Sequence, residues 1–363
     1  MTPRERLETV LAGGTPDAVP FFPVLRFWWA QQEEKGTLPE RWKGEGGLAR
    51  LHAEVPCGTY WPPENHWRKE YSRCAEKSET RGFERVTVYE TPRGALRRVE
   101  RFLPESQCWA PIEWPVKSRV DLRALCFLAA DRRFLPDTDA FLECVREWGS
   151  QGLPLLLPPV RSPICALVYE WTGVECLSFL LADCPAEVEG ALKVLTDADD
   201  PVFEILCRWP CAPLVEMNDN LSSEVMAGLV RRFGMQTYAR RASELHAAGK
   251  LVSVHIDGTL RGLLPLFPGL GFDCMEGLTP LPAGDLDIQD LRVLAGPNIR
   301  LWGGLPGAIF SPTFPEEEFR RAVAHALDVV RKDHRFILGI GDLLPPDGIL
   351  DRVKWVSSLV EMK

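Results

Sequence analysis

The sequence contains no unbroken run of about 18 apolar residues of the kind that spans a bilayer, and its opening, MTPRERLETVLAGG, lacks the apolar core of a signal peptide. A cytoplasmic protein without a membrane partner is the expectation. Positive charge is also short: 42 Lys and Arg against 51 Asp and Glu leave a net charge of -9. Phosphate backbones call for a basic surface, so a nucleic-acid partner is not expected. No C-x-x-C pair occurs, and the nearest two thiols, Cys207 and Cys211, are separated by Arg, Trp and Pro. The 11 cysteines are scattered through apolar segments such as RALCFLA, SPICALVY and FEILCRWP. Reduced thiols buried as small hydrophobes fit that pattern, and a disulfide scaffold does not. No internal repeat and no low-complexity tract is visible.

What is present is a globular composition, 45% hydrophobic and 26% charged, on 363 residues, enough for one large barrel or two ordinary domains. From about residue 150 onward one rhythm dominates. Short apolar runs ending in polar residues or glycine occur at 153–160, 212–220, 251–258, 273–280, 299–307 and 336–346. Between them lie stretches with helical spacing and stop signals: VMAGLVRRFGMQTYARRASELHAAG, GDLDIQDLRVLAG and PEEEFRRAVAHALDVVRKD. Alternation of this kind predicts parallel βαβ units and an α/β fold, a (β/α)8 TIM barrel.

The first third reads differently. Residues 1–13 form a helical lead-in to AVPFFPVLRFWWA, the expected first barrel strand. GFERVTVYETPRGALRRVERFL alternates with period two around Thr-Pro-Arg-Gly, an antiparallel hairpin. Residues 60–115 are expected as a hairpin-containing insertion on a single domain of 1–363.

Catalytic groups of such barrels stand at the C-terminal ends of the strands. In KLVSVHIDGTL, His255 and Asp257 are two apart and are expected to point the same way. The run at 212–220 ends with Glu216, Asn218 and Asn220 on one parity and Asp219 on the other. Cys274 and Glu276 are in phase on the next run, and the last run ends at Asp342. A histidine after an apolar run is commonly just a hydrogen-bonded structural residue. Three observations turn the reading toward a site. His255 is the only histidine at a predicted strand end, Glu276 ends a strand where a carboxylate needs a partner, and Asp342 lies between a glycine-rich strand end and LLPPDG.

These stretches resemble the uroporphyrinogen decarboxylase superfamily, which includes the corrinoid-dependent methyltransferases. The likeness is carried by MTPRERLETVLAGGTPDAVPFFP at the entry, by NDNLSSEV, HIDGTL and EGLTPLPAGDL, and by FILGIGDLLPPDGI at the last strand. It spans essentially the whole chain. The decarboxylase branch holds its tetrapyrrole's carboxylates with paired arginines near the N-terminus. Here Arg26 stands alone in VLRFWWAQQEEKGTLPERW, too few bidentate donors for a multiply charged anion. In the methyltransferase branch, zinc is held by a His-x-Cys motif and a distant cysteine. His255 matches the histidine, Asp257 stands at the first cysteine and Asp342 at the second.

The resemblance therefore implies a zinc site with carboxylates in place of thiolates. His255, Glu276 and Asp342 are the expected ligands, Cys274 is an alternative, and Asp257 is a ligand or an orienting group. Such a metal is a strong Lewis acid, suited to polarising a methoxy oxygen. Glu216, Asn218, Asn220, Arg26, Trp28, Trp302 and Gly303 are expected around the substrate, with Trp29 beside Trp28 at a strand end. The implied function is a zinc-dependent methyltransferase, moving a methyl group from a small methylated compound to a corrinoid on a partner protein. Two alternatives remain open here: a metal-independent decarboxylase of a tetrapyrrole or other acidic substrate, and a non-catalytic barrel that binds a tetrapyrrole or corrinoid.

Overall fold

The structure is a computed structural model that describes residues 1–62 and 66–361. Its strands, in chain order, are β1 Trp67–Tyr71, β2 Ala75–Arg81, β3 Glu84–Thr91, β4 Gly94–Leu103, β5 Cys108–Glu113, β6 Arg132–Pro136, β7 Leu214–Leu221, β8 Leu251–Ile256, β9 Cys274–Leu278, β10 Arg300–Pro306 and β11 Phe336–Gly341. They form a mixed α/β structure: a five-stranded sheet in the order β11-β10-β9-β8-β7, a four-stranded sheet β2-β3-β4-β5, and the pair β1-β6. Every pairing in the five-stranded sheet is parallel. Helices connect its strands, as the sequence predicts, at Met235–Ala247, Ile288–Ala295 and Glu316–Val330. β9 and β11 are buried at every residue, which is why their sequences are apolar runs without alternation.

The edges of the five-stranded sheet are not bare. At one edge Phe22 N–H donates to Leu338 O, and Leu338 N–H donates to Pro20 O. Gly58 N–H donates to Phe21 O, and Leu153 and Leu155 N–H donate to Thr59 O and Tyr60 O. At the other edge Glu216 N–H donates to Leu156 O.

Two runs expected as strands make only isolated bridges, Phe21 to Leu338 and Leu156 to Val215. Both are studded with proline, Pro20 and Pro23 in one and Pro154, Pro158 and Pro159 in the other, and proline has no N–H for the ladder. The expected first strand also does not continue through Trp28 and Trp29: Arg26–Glu34 is a helix.

The hairpin is present as β3 and β4, with Thr91 opposite Gly94 across a two-residue turn. The expectation stopped short, because β2 and β5 flank it and make a four-stranded antiparallel sheet. β6, beyond the expected end of the insertion, returns to pair with β1. Residues 63–65 of that insertion lie outside the described residues.

One helical stretch is long and apolar enough on average to cross a membrane, although Glu170 and Glu175 interrupt its apolar run. Pro163–Asp183 has mean hydropathy 1.5, and 56% of its most apolar window is buried within the protein, the position of a core helix. Its middle, Leu167–Thr172, is π-helical.

The core has two parts. The larger lies between the sheet and the surrounding helices. The smaller joins Leu7, Val10 and Leu11 of the first helix, Pro3–Leu11, to Phe22, Tyr60, Leu155, Cys274 and Trp302. Trp302 is its centre, 4.2 Å from Tyr60 and 5.7 Å from Phe22 between ring centroids.

Candidate functional site

Strand register brings the polar groups together. His255 on β8 lies beside Glu276 on β9, and Ser253, two residues earlier, lies beside Glu216 on β7 and Cys274 on β9. His255 Nδ1 and Glu276 Oε2 are 2.5 Å apart, and Tyr60 donates its hydroxyl to Glu276 Oε1 at 2.6 Å. Both oxygens of Glu276 are therefore engaged. The Trp61 ring meets His255 edge-on at 6.0 Å, and His255 Nε2 faces Asp342 Oδ1 at 3.7 Å. Close approach of β9 requires Gly277, at φ 84°: a Cβ there would lie 2.5 Å from Ile256 O and 2.9 Å from His255 Cε1.

Glu216 is the exception in this network. It is fully buried, Ser253 on the neighbouring strand is the hydroxyl beside it, and neither carboxylate oxygen makes a hydrogen bond of ordinary geometry. Ser253 Oγ and Trp302 Nε1, in the same interior, also lack one. Native proteins rarely bury such groups unpaired, so the position points to something that binds there. Ligand atoms of Glu216, His255 and Glu276 all lie within 4.8 Å of one another. Ligands around a single zinc lie within about 4 Å of each other, so this donor set fits a divalent ion after small side-chain adjustments.

The electrostatics follow from the same geometry. Burial opposes charge on His255, but the Glu276 carboxylate prevails and pushes the imidazole up to about 9. Burial, then the charge of Glu276, holds the Glu216 carboxyl well above the usual range. Asp342 is half exposed yet flanked by protein, and this crowding pushes it up to about 6 against the pull of His255. Burial also raises the Cys274 thiol far above its ordinary value, which makes it a poor source of thiolate.

The residues anticipated from sequence sort as follows. His255 and Glu276 stand together as expected, and the third member of the cluster is Glu216, expected beside the substrate, rather than Asp342. Asp342 occupies the other side of the histidine ring. His255 is buried, whereas Asp257, just past the end of β8, is exposed and accepts from Asn220 Nδ2 at 3.1 Å. Asn218 and Asn220 are tied to Arg161, whose Nη1 donates to Asn218 O and to Asn220 Oδ1.

Arg26 begins its helix and makes a long 3.3 Å bond to Pro62 O. Trp28 is buried on that helix and donates Nε1 to Gly348 O at 2.8 Å, anchoring the last loop. Trp302 lies in the smaller core. A Cβ on Gly303 would lie 2.4 Å from Leu278 O, so its role is the close contact of β10 with β9.

Sequence reasoning missed Tyr60, Trp61 and Arg161. Tyr60 and Trp61 sit in CGTYW, which has neither the apolar run nor the period of a strand. Arg161 follows LPLLLPPV, and the strand-end rule that singled out Asp342 would have found it there.

The sequence matches no protein-family model and no curated protein. Among solved structures, the chain is similar in fold to a methyltransferase from Methanosarcina mazei, with TM-score 0.61 and 14% identity over 99% of this chain and 98% of that one. At that identity the likeness is one of fold.

Proposed function

We propose that this chain is a metal-assisted methyltransferase whose ion is held by Glu216, His255 and Glu276. The single observation that carries the reading is the buried Glu216 carboxylate without a hydrogen bond of ordinary geometry, within ligand distance of a histidine and a second carboxylate. The fold likeness to a methyltransferase supports the reaction class. The backbone bonds from residues 20–22, 58–60 and 153–156 to each other and to the edges of the parallel sheet support a (β/α)8 barrel as the single domain of this chain.

A divalent ion in this oxygen- and nitrogen-rich set, zinc being the candidate, would supply Lewis acidity toward the ether oxygen of a methoxy donor. The chain's own groups do the rest. Tyr60 holds one oxygen of Glu276, the other oxygen and His255 Nδ1 would exchange their mutual bond for the ion, and Asp342 stands at the outer ring nitrogen, where a proton can be held for the leaving oxygen. Trp61 shields the ring from water on one side. The methyl acceptor in this reading is the cobalt of a corrinoid presented at the mouth by a partner protein.

Protein purified without chelator should carry about one zinc, and His255→Ala and Glu216→Gln should each lose it while remaining folded. Asp257→Asn should keep the ion, because the Asp257 bond goes to Asn220. Methylcobalamin should form from cob(I)alamin and a methoxy donor. A wild-type protein that takes up no stoichiometric divalent ion overturns the proposal.

A second reading rests on one observation: His255, charged and set between Glu276 and Asp342, is a competent metal-free acid for a decarboxylase. Turnover of an acidic substrate in the presence of chelator would favour it.

A further inference from the structure

Four non-glycine residues among those described have positive φ, and two of them lie where strands finish at the same mouth: Asn220 at 50°, next to last in β7, and Asp342 at 62°, the residue after β11. Left-handed backbone is uncommon outside glycine and gathers at functional positions, where surrounding contacts must hold it. For Asn220 those contacts can be named in full. Its Oδ1 accepts from Arg161 Nη1 at 2.7 Å, its Nδ2 donates to Asp257 Oδ2 at 3.1 Å, and its carbonyl accepts from the Tyr169 hydroxyl at 2.8 Å.

Arg161 is itself fixed. The same Nη1 donates to Asn218 O, Nε faces Glu170 at 3.6 Å, and the guanidinium lies 5.5 Å from the Tyr169 ring. Tyr169 and Glu170 both stand on the π-helical turn Leu167–Thr172, a local widening often seen at functional sites. The residue after Arg161 is anchored from behind, because Ser162 N–H donates to the buried Asp219, which also accepts from Tyr238.

We infer that Arg161 is a positioning residue for the substrate, acting through Asn220. The inference rests on the mouth of the proposed site being where the methyl donor binds. An amide side chain rotates freely unless both ends are held. Arg161 takes its oxygen, so its nitrogen must face Asp257, and the Asp257 carboxylate is held in one place at the entrance. Arg161 thus orders a polar rim of Asn218, Asn220 and Asp257 without itself touching the buried cluster.

The test separates side chain from backbone at one residue. Asn220→Gly accepts the left-handed backbone and lacks the amide; Asn220→Ala lacks both advantages. Both should raise KM for the methoxy donor about 10- to 100-fold with bound metal unchanged, while only the alanine variant lowers Tm. Arg161→Ala should raise KM similarly, and Arg161→Lys, which keeps one donor, should recover part of the loss. Wild-type KM for Asn220→Gly would overturn the inference, since Asn220 would then serve its backbone alone.

A second arm needs no turnover. In the wild-type protein the Asn220 side-chain amide should give a slowly exchanging NMR signal that Arg161→Ala abolishes. An unchanged signal in Arg161→Ala sinks the inference whatever the reaction. Absence of any methyl transfer by the wild-type protein sinks the proposed function instead and leaves this arm to decide the role of Arg161.

Discussion

Asp131 and Glu216 are both buried carboxylates, one where the insertion meets the body and one in the interior of the parallel sheet. Asp131 accepts three backbone N–H groups, from Ser72, Arg73 and Cys74, and a bond from Arg73 Nε. These hold its carboxyl down to about 2. Glu216 makes no hydrogen bond of ordinary geometry, and burial holds it well above the usual range. Both carboxylates are shielded from water, Asp131 by the turn that bonds it near the surface and Glu216 by the depth of the interior, and they behave in opposite ways. The charge of Asp131 closes a turn, whereas the oxygens of Glu216 are left for the ion proposed above. A completed network marks structure, and an incomplete one marks a site.

The sharpest way to break that comparison is to remove each carboxylate from metal-free protein. Asp131→Ala should destabilise by about 1–3 kcal/mol, because the three backbone donors lose their acceptor. Glu216→Gln should stay within about 1 kcal/mol of wild type, since its carboxyl is already neutral there. Urea denaturation in chelator measures both, and equal losses would erase the distinction. The Asp131 contribution also has a sign in pH. Its folded value lies below the ordinary carboxylate value of 3.8, so its stabilisation is present above that pH and is lost as pH falls toward about 2.

Asp199 sharpens the contrast from a third position, since it is buried like Glu216 yet has a partner, Arg132 at 3.2 Å. Burial outweighs that partner and pushes Asp199 up to about 7. The folded protein then holds a proton that the unfolded chain releases, so this contribution is complete below 3.8 and disappears as pH rises to about 7. Asp199→Asn should match wild type near pH 4 and exceed it by on the order of 1–3 kcal/mol near pH 8. Thermal melts across that range check the crossing, and parallel curves would refute it.

The smallest effect is expected where both partners are exposed. Lys77 and Glu90 pair at 2.9 Å across β2 and β3, and Lys77→Ala should change stability by less than about 0.5 kcal/mol. A larger loss would show that the insertion depends on its surface charges as the interior depends on its buried ones.

The parallel strands were legible because each is a short buried run rich in apolar residues; β8 to β11 fall within the runs read from the sequence, and β7 passes its run by one residue. His255 and Glu276 were legible as polar exceptions in such runs, although only His255 stands at a strand end and Glu276 is the middle residue of β9. The rest was hidden for identifiable causes. Prolines leave apolar runs that look like strands while removing the donors that strands require, as at residues 20–23 and 154–159. Asp257 lies just past the end of β8 and is exposed where His255 is buried, a difference in depth that residue spacing alone does not show.

By itself, then, the chain's amino-acid order determines which segments are apolar runs and that acidic and imidazole groups interrupt them, because burial acts locally on side-chain type. Only the tertiary structure decides that Glu216 rather than Asp342 joins His255 and Glu276, and that Tyr60, 216 residues earlier in the chain, donates to Glu276. Which strand lies beside which, and in what register, is set by packing of the whole core. A shift of one residue in that register would turn the same carboxylates out of the interior.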